Sequence, residues 1–557
     1  MNKKILFFLV TILVVLIFSS LAFSQARYKV LKIEIQGNKN IATSYILTAI
    51  NMKIGDYIAK ADIQKEIQNI MNLGYFQEVK AKAFPEKDGV RVVFIVRENP
   101  VIKSITIKGS TVFSEDELKN IMILAPGQVL NKKILNRDLN RITKYYQEKG
   151  YILSGIGSIK FENGNLTITL FEGILDKIDI IGDIKVKEWV VRKALNLKTG
   201  ELFNFNKVKK ALQRVYNLGF FNDVKMKILK GSSPEKLTLE IILEEKNTGK
   251  AGIGIGYNTE QGLLGFISYS EKNFGGNAQE ITAKWEFGAR TTYKVSFYDP
   301  WFLKSNNSFK LEVYDTAKSH KNYGDSGDVI GEYKEERIGG DITIGTPINE
   351  DMKLYLTYKA ENVTITPIEG ETPDDLAGKI RSLTPVFVYD TRDNIFDPKK
   401  GTYDVVSLEY AGGFLDGDYD FLKVSGTFAG YFNVISDQVL ALRVMGGTAN
   451  ASLPSFEKFE LGGVNTLRGY NLGEFRGDNM LLFNLEYRIP LATNFQGVLF
   501  VDYGSVWDYG ASLDFDDFKL GKGIGIRVDT PLGPIRLDYG MSEERHGSLY
   551  FSIGHTF

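Results

Sequence analysis

Gly37, Gly109 and Gly182 stand 72 and then 73 residues apart, and each ends a short alternating stretch: Ile33-Glu34-Ile35, Ile105-Thr106-Ile107 and Ile178-Asp179-Ile180. Eighteen residues further on come Gly55, Gly127 and Gly200. Leu73-Gly74-Tyr75-Phe76, Lys149-Gly150-Tyr151-Ile152 and Leu218-Gly219-Phe220-Phe221 then close each copy's second helix. A register kept three times means three copies of one small unit. Within each copy a short strand leads to a helix and then to a second, amphipathic helix. That second helix carries Ile63/Ile67/Ile70, Leu135/Leu139/Ile142 and Val208/Leu212/Val215, a four-and-three spacing that lines one face. Glycine after the last turn is a usual helix stop. Two strands follow, as in Leu166/Ile168/Leu170 alternating with Thr167/Thr169 and in Leu237/Leu239/Ile241/Leu243, with Asn163-Gly164 as a hairpin turn in the middle copy. The unit is β-α-α-β-β, three strands covered on one face by two helices.

The pattern stops near residue 247. Residues 1–246 hold 15 Gly and 8 Tyr, whereas residues 247–557 hold 40 Gly and 20 Tyr, together with Trp285, Trp301 and Trp507. Closely spaced strands and turns rich in glycine and aromatics are what a large antiparallel sheet needs. Alternation runs throughout: Ile281/Ala283/Trp285/Phe287 against Thr282/Lys284/Glu286, Phe483/Leu485/Tyr487/Ile489 against Asn484/Glu486/Arg488, Ile535/Leu537/Tyr539 against Arg536/Asp538. An apolar face toward lipid and a polar, hydrated lumen would produce this; a soluble sandwich would alternate too. About sixteen strands can be marked, each of roughly ten residues. Lipid demands closure, because an open edge there cannot be hydrated. The expected fold is therefore α+β repeats followed by an all-β transmembrane barrel of about sixteen antiparallel strands.

Asn2-Lys3-Lys4, an apolar run from Ile5 to Phe18, and Ala22 and Ser24 ahead of Gln25 have the parts of a secretory signal peptide over residues 1–24, with a retained anchor as the alternative. No other long apolar run occurs, which excludes a helical multi-span protein. The 557 residues include no cysteine and three histidines, His320, His546 and His555, and balance 68 Lys+Arg against 68 Asp+Glu. No disulfide framework or thiolate metal site can form. A basic nucleic-acid binder is disfavoured. No phosphate loop, zinc-protease helix or nucleophile elbow is present. No enzyme, cofactor or metal is expected.

Several segments resemble the outer-membrane β-barrel assembly family, the BamA-like or bacterial surface antigen family. The three copies, at residues 28–99, 100–173 and 174–246, resemble its POTRA domains, and the barrel would occupy 247–557. Tyr298-Asp299-Pro300-Trp301-Phe302 and Tyr389-Asp390-Thr391-Arg392-Asp393-Asn394, with Pro398 and Gly401, are similar to its early and middle barrel motifs. Gly462-Gly463-Val464-Asn465-Thr466-Leu467-Arg468-Gly469-Tyr470 is similar to its loop motif ending in Arg-Gly-aromatic. Phe500 to Gly504, Pro531 to Pro534, and the terminal Leu549 to Phe557 match the later strands. The resemblance implies that the long loop after Ala449 enters the lumen and that Arg468 meets Asp502 on the inner wall, with Glu486, Asp529 and Asp538 as the next candidates by face.

It also implies a seam between first and last strands. Gly252, Gly254 and Gly256 recur at period two, which weakens a strand; a bend for barrel closure explains them equally. Leu549, Phe551, Ile553 and Phe557 mark the other side. The function implied is folding and insertion of β-barrel proteins into the outer membrane, with POTRA edges capturing extended clients. The alternative within the family is a TamA-like or secretion-partner translocator. The partners implied are unfolded barrel clients, periplasmic chaperones, accessory lipoproteins and outer-membrane lipid, with no nucleic acid; the repeats would lie in the periplasm.

Overall fold

The computed structural model describes residues 27–259, 262–395, 397–528, 535–543 and 547–553. The expected leader and Phe557 lie outside them. The chain divides into two compact units. One contains the first two repeats and most of the third; the other contains residues 183–191, 218–222 and everything from Glu244.

The first repeat runs β1 (Tyr28–Gln36), α1 (Thr43–Leu47), β2 (Tyr57–Ile58), α2 (Lys60–Met71), β3 (Phe76–Glu86) and β4 (Gly89–Glu98), with sheet order β2-β1-β4-β3. β1 is parallel to β4, and β3 is antiparallel to it. Ile46, Ile70, Phe76, Val92 and Phe94 fill the core, and Ile63 and Ile67 pack against it. The two-residue β2 makes this sheet four-stranded rather than three-stranded. In the other repeats the same place holds single bridges, Val101 to Val129 and Ile174 to Leu202. The second repeat comprises β5 (Ser104–Lys108), α3 (Glu115–Asn120), α4 (Lys132–Glu148), β6 (Gly155–Glu162) and β7 (Asn165–Phe171), in the order β5-β7-β6. The third comprises β8 (Ile174–Ile181), α5 (Glu188–Leu195), α6 (Phe205–Asn217), β9 (Phe221–Lys230) and β10 (Lys236–Glu245), in the order β8-β10-β9. One device recurs at the end of each last strand. Glu98 accepts from the amides of Lys39, Asn40 and Ile41, Glu172 from Thr111 and Val112, and Glu245 from Lys185 and Val186, satisfying the turn after the first strand.

Consecutive repeats are joined by a shared cap. Asn131 accepts from the Lys133 and Ile134 amides at 2.9 and 3.0 Å, starting α4, and its own amide donates to the Leu73 carbonyl at 2.8 Å. Asn204 does the same one repeat later, accepting from Asn206 and Lys207 and donating to the Lys149 carbonyl at 3.0 Å. The backbone reinforces both joints, Lys132 to Gly74 and Phe205 to Gly150. Gly74 (φ 84°) and Gly150 (φ 92°) end the preceding helices in the left-handed region. A Cβ there would lie 2.5 and 2.8 Å from the capping Asn oxygens, so these glycines serve both turn and joint. The same register position in the first repeat is Ala59. Asn131→Ala is expected to cost about 1–2 kcal/mol, from the lost cap and the lost inter-repeat hydrogen bond. Faster hydrogen exchange at Lys133 and Ile134, with a broadened distance distribution between spin labels on the first two repeats, would register it.

The second unit is a sixteen-stranded sheet in which sequence neighbours pair antiparallel. Its strands are β11 (Gly249–Asn258), β12 (Gly262–Phe274), β13 (Gln279–Gly288), β14 (Arg290–Asp299), β15 (Ser308–Tyr323), β16 (Val329–Pro347), β17 (Met352–Gly370), β18 (Ala377–Asp390), β19 (Gly401–Ala411), β20 (Phe421–Asn433) and β21 (Val439–Ala449). After a long loop that contains the small hairpin β22 (Phe459–Leu461) and β23 (Phe475–Gly477) come β24 (Asn479–Ala492), β25 (Phe495–Trp507), β26 (Lys519–Val528), β27 (Ile535–Ser542) and β28 (Ser548–Ile553). Ile253, Trp285, Val295, Val313, Leu354, Leu485, Leu499, Ile524 and Leu549 are exposed on the outer face, as a lipid-facing band requires. Among the described residues no helix is long and apolar enough to cross a membrane.

The interior departs from a simply polar, hydrated lumen. Tyr333, Val363, Ile365, Ile380, Phe421, Met480 and Leu482 point inward near the end that carries the long loop. There they form one apolar core with the loop residues Leu453, Phe456, Phe459, Leu461, Leu467 and Tyr470. Alternation identifies which face a residue takes, but not what is brought in to cover it.

Candidate functional site: the loop seated on the barrel wall

The loop between β21 and β24 folds into the barrel because its own pairings leave the apex compact. Phe459–Leu461 pairs with Phe475–Gly477, Gly463 donates to the Tyr470 carbonyl, and the Thr466 hydroxyl donates to the Gly462 carbonyl at 2.8 Å. That presents Arg468 to the wall formed by β24 to β27. Its Nε and Nη2 each donate to one oxygen of Asp502 at 2.7 Å, a bidentate fork, and its backbone amide donates to Asp502 at 3.0 Å. Nη1 donates to Glu486 at 2.7 Å and lies 3.7 Å from Asp538. The guanidinium sits 3.6 Å from the centre of the Phe500 ring. Arg468 is 1% exposed, and Glu486, Asp502 and Asp538 are fully buried.

Of the acids expected near Arg468, Asp502, Glu486 and Asp538 surround it; Asp529 lies outside the described residues. Gly521 lies beneath this contact: a Cβ there would collide with the Arg468 carbonyl oxygen, so the loop approaches β26 where the side chain is absent. The apex reaches the last strand as well. The Tyr550 hydroxyl of β28 accepts from the Gly469 amide at 2.8 Å and donates to the Tyr470 carbonyl at 2.9 Å.

Several members of this cluster carry no motif. Arg488 pairs with Glu486 at 2.9 Å, Arg527 pairs with Asp538, and Arg536 bridges Asp538 and the Val464 carbonyl at 3.1 and 3.2 Å. Arg443 donates to the Asn465 carbonyl at 2.6 Å, and the Asn484 amide donates to Asp502 and to the Thr466 carbonyl at 2.7 Å each. Strand parity was the available signal for Arg488, Arg527 and Arg536, which share the inward face with the acids. A second contact had no local signal. Glu457, in a single 3-10 turn, is ringed by Arg337 (3.1 Å), Lys359 (3.7 Å) and Lys423 (3.8 Å) from β16, β17 and β20.

The seam residues are placed less completely. Gly252 and Gly254 face the lumen, where a Cβ at 254 would strike the Phe266 ring, and Gly256 continues the strand. Leu549 and Phe551 lie on β28, Leu549 facing outward; Ile553 ends the strand and Phe557 is outside the described residues. β11 and β28 run beside each other. Among the described residues no hydrogen-bonded ladder joins them, in contrast to every consecutive pair between. The grouping offers shape, backbone edges and buried charge; among the described residues no set of acidic or histidine side chains could hold a metal ion.

Comparison with known proteins agrees with this architecture. The profile of the Omp85 superfamily domain matches residues 273–557, and that of the POTRA, or surface antigen variable number, repeat matches residues 28–99, 100–173 and 174–246. The outer membrane protein assembly factor BamA of Nitratidesulfovibrio vulgaris is 24% identical over 94% of this chain and 73% of its own. The chloroplastic outer envelope protein 80 of Arabidopsis thaliana is 22% identical over 88% of this chain and 72% of its own. The crystal structure of Haemophilus ducreyi BamA lacking POTRA domains 1–3 shares the fold, with a TM-score of 0.63 at 19% identity, covering 82% of this chain and 99% of that one.

Proposed function

This chain belongs to the Omp85 superfamily, and from that premise we propose that it is an outer-membrane assembly factor that folds and inserts β-barrel proteins. The barrel sits in the outer membrane with the three POTRA repeats in the periplasm. The reading draws on assembly factors of the same two-part build among its relatives, and one observation supports it mechanically: among the described residues, β11 and β28 lie together without a shared ladder. A strand edge in lipid leaves N–H and C=O groups unsatisfied, each costing several kcal/mol. A client strand that pairs there satisfies them. The free edges of the POTRA sheets, β3, β6 and β9, offer the same backbone groups to an extended client before it reaches the membrane. No catalytic chemistry is invoked; client burial and backbone pairing supply the free energy, and the protein lowers the barrier. Chaperones and accessory lipoproteins would act at the repeats.

Depletion in the native host tests this reading. Barrel proteins of all kinds are expected to disappear from the outer membrane and to accumulate unfolded in the periplasm. Normal levels of general barrel proteins, with loss of one exported substrate alone, would replace it with the translocator reading.

A further inference from the structure

We propose that the lumenal loop is held by two unlike fastenings, a fixed pivot at Arg468 and a releasable latch at Glu457. The inference rests on the proposed function only in giving the motion a use.

The two contacts lie on different strands and have opposite polarity. At the pivot the loop brings a cation to acids on β24, β25 and β27; at the latch it brings a carboxylate to cations on β16, β17 and β20. The loop thus spans between two sectors of the wall. The latch also uses the backbone: Arg337 donates to the Phe456 carbonyl and Lys423 to the Glu457 carbonyl. Two rings complete it, Phe456 against Tyr419 with centroids 5.6 Å apart, and Phe459 with the Lys423 ammonium 4.6 Å from its centre.

The sectors differ in what release would leave behind. Arg337 keeps Glu335 at 2.7 Å and Glu361 at 2.9 Å, and Lys359 keeps Glu409 at 3.1 Å and Glu361 at 3.4 Å. Lys423 depends on the loop, but its side chain is 17% exposed, and those of Arg337 and Lys359 are 22% and 23% exposed, so water reaches all three. Withdrawing Glu457 therefore strands no fully buried charge. Withdrawing Arg468 takes from Asp502, at 0% exposure, its two-pronged guanidinium donor and leaves it the Asn484 amide and the more distant charge of Arg443. Ions screen partly exposed contacts and scarcely affect sealed ones. Of the two ionic fastenings, the one on the first arm, residues 450–461, is therefore the one that can open without stranding a fully buried wall charge, with the apolar packing of Leu453, Phe456 and Leu461 opposing its release.

The absence of native cysteine allows a direct test in the full-length protein, refolded into liposomes and checked for heat-modifiable migration. Ser455→Cys reports the arm and Val464→Cys the apex, both read by the rate of labelling with a water-soluble thiol reagent. Added to each reporter, Glu457→Gln is expected to speed labelling at 455 by about tenfold and leave 464 unchanged. Raising salt with Glu457 intact is expected to move 455 in the same direction, again without 464, which covers a variant that fails to fold. Unchanged labelling at 455 in both experiments, or labelling of 455 and 464 in step, would overturn the proposal. No client insertion enters the readout, so failure of the assembly function and failure of the latch are separate results.

Discussion

Arg468→Ala is expected to destabilise the seated loop by about 3–5 kcal/mol, because truncation takes the paired guanidinium from the buried Asp502 carboxylate instead of removing a balanced pair. Asp502 loses a two-pronged donor, Glu486 loses one of its arginines, and the Phe500 ring loses the guanidinium above it. The expected result is a loop opened to protease around residues 462–474, a barrel that loses its heat-resistant migration at lower temperature, and impaired assembly in cells. Two further variants separate charge from geometry. Arg468→Lys keeps the charge but cannot fork onto Asp502, so it should recover only part of the loss. Arg468→Ala combined with Asp502→Asn removes the stranded charge and should be less unstable than the single change. An Arg468→Ala barrel with wild-type protection and activity would show that the contact holds nothing.

The repeats and the barrel could be read from the chain because both are periodic, and period is a local property. Gly74 and Gly150 announce themselves as helix stops because few other residues accept their positive φ. Strand alternation marked the sixteen-stranded sheet for the same reason. Lengths were less legible: β16 and β17 each run 19 residues, about twice the membrane requirement, because Glu336 and Lys334 continue the alternation past the apolar band of Ile338, Ile342 and Ile344. Asp502, Glu486 and Asp538 could be nominated by parity together with a family motif. Glu457 could not. Its partners at 337, 359 and 423 converge only after four hairpins have set the register, and Ser455-Phe456-Glu457 has no periodicity of its own. The two-residue β2, paired to Tyr28 and Lys29, is likewise set by closure of the first repeat's sheet and not by any run of strand-forming residues.

The line between β11 and β28 is where the other large change in activity is expected. Every interior strand pair from β11 to β28 shares a ladder, so its absence between those two strands among the described residues is not a general looseness of the sheet. β28 lies beside a β11 that carries lumen-facing glycines at 252 and 254. Glycine holds a strand less firmly by roughly 0.5–1 kcal/mol per position relative to alanine. A glycine-weakened strand that shares no ladder with its neighbour among the described residues lowers the cohesion of the barrel along one line. The loop apex rests beside that line through Tyr550, so the pivot steadies β28 while leaving its outer edge available. Cysteine pairs placed along residues 251–255 and 549–552 are expected to cross-link on oxidation and to abolish client insertion, with activity restored by reductant. The same pairs between β19 and β20, where a continuous ladder already exists, should cross-link without effect. If the seam-linked barrel inserts clients at the rate of its reduced form, parting of β11 from β28 is no step in assembly, and clients must enter by the POTRA edges and the rim alone.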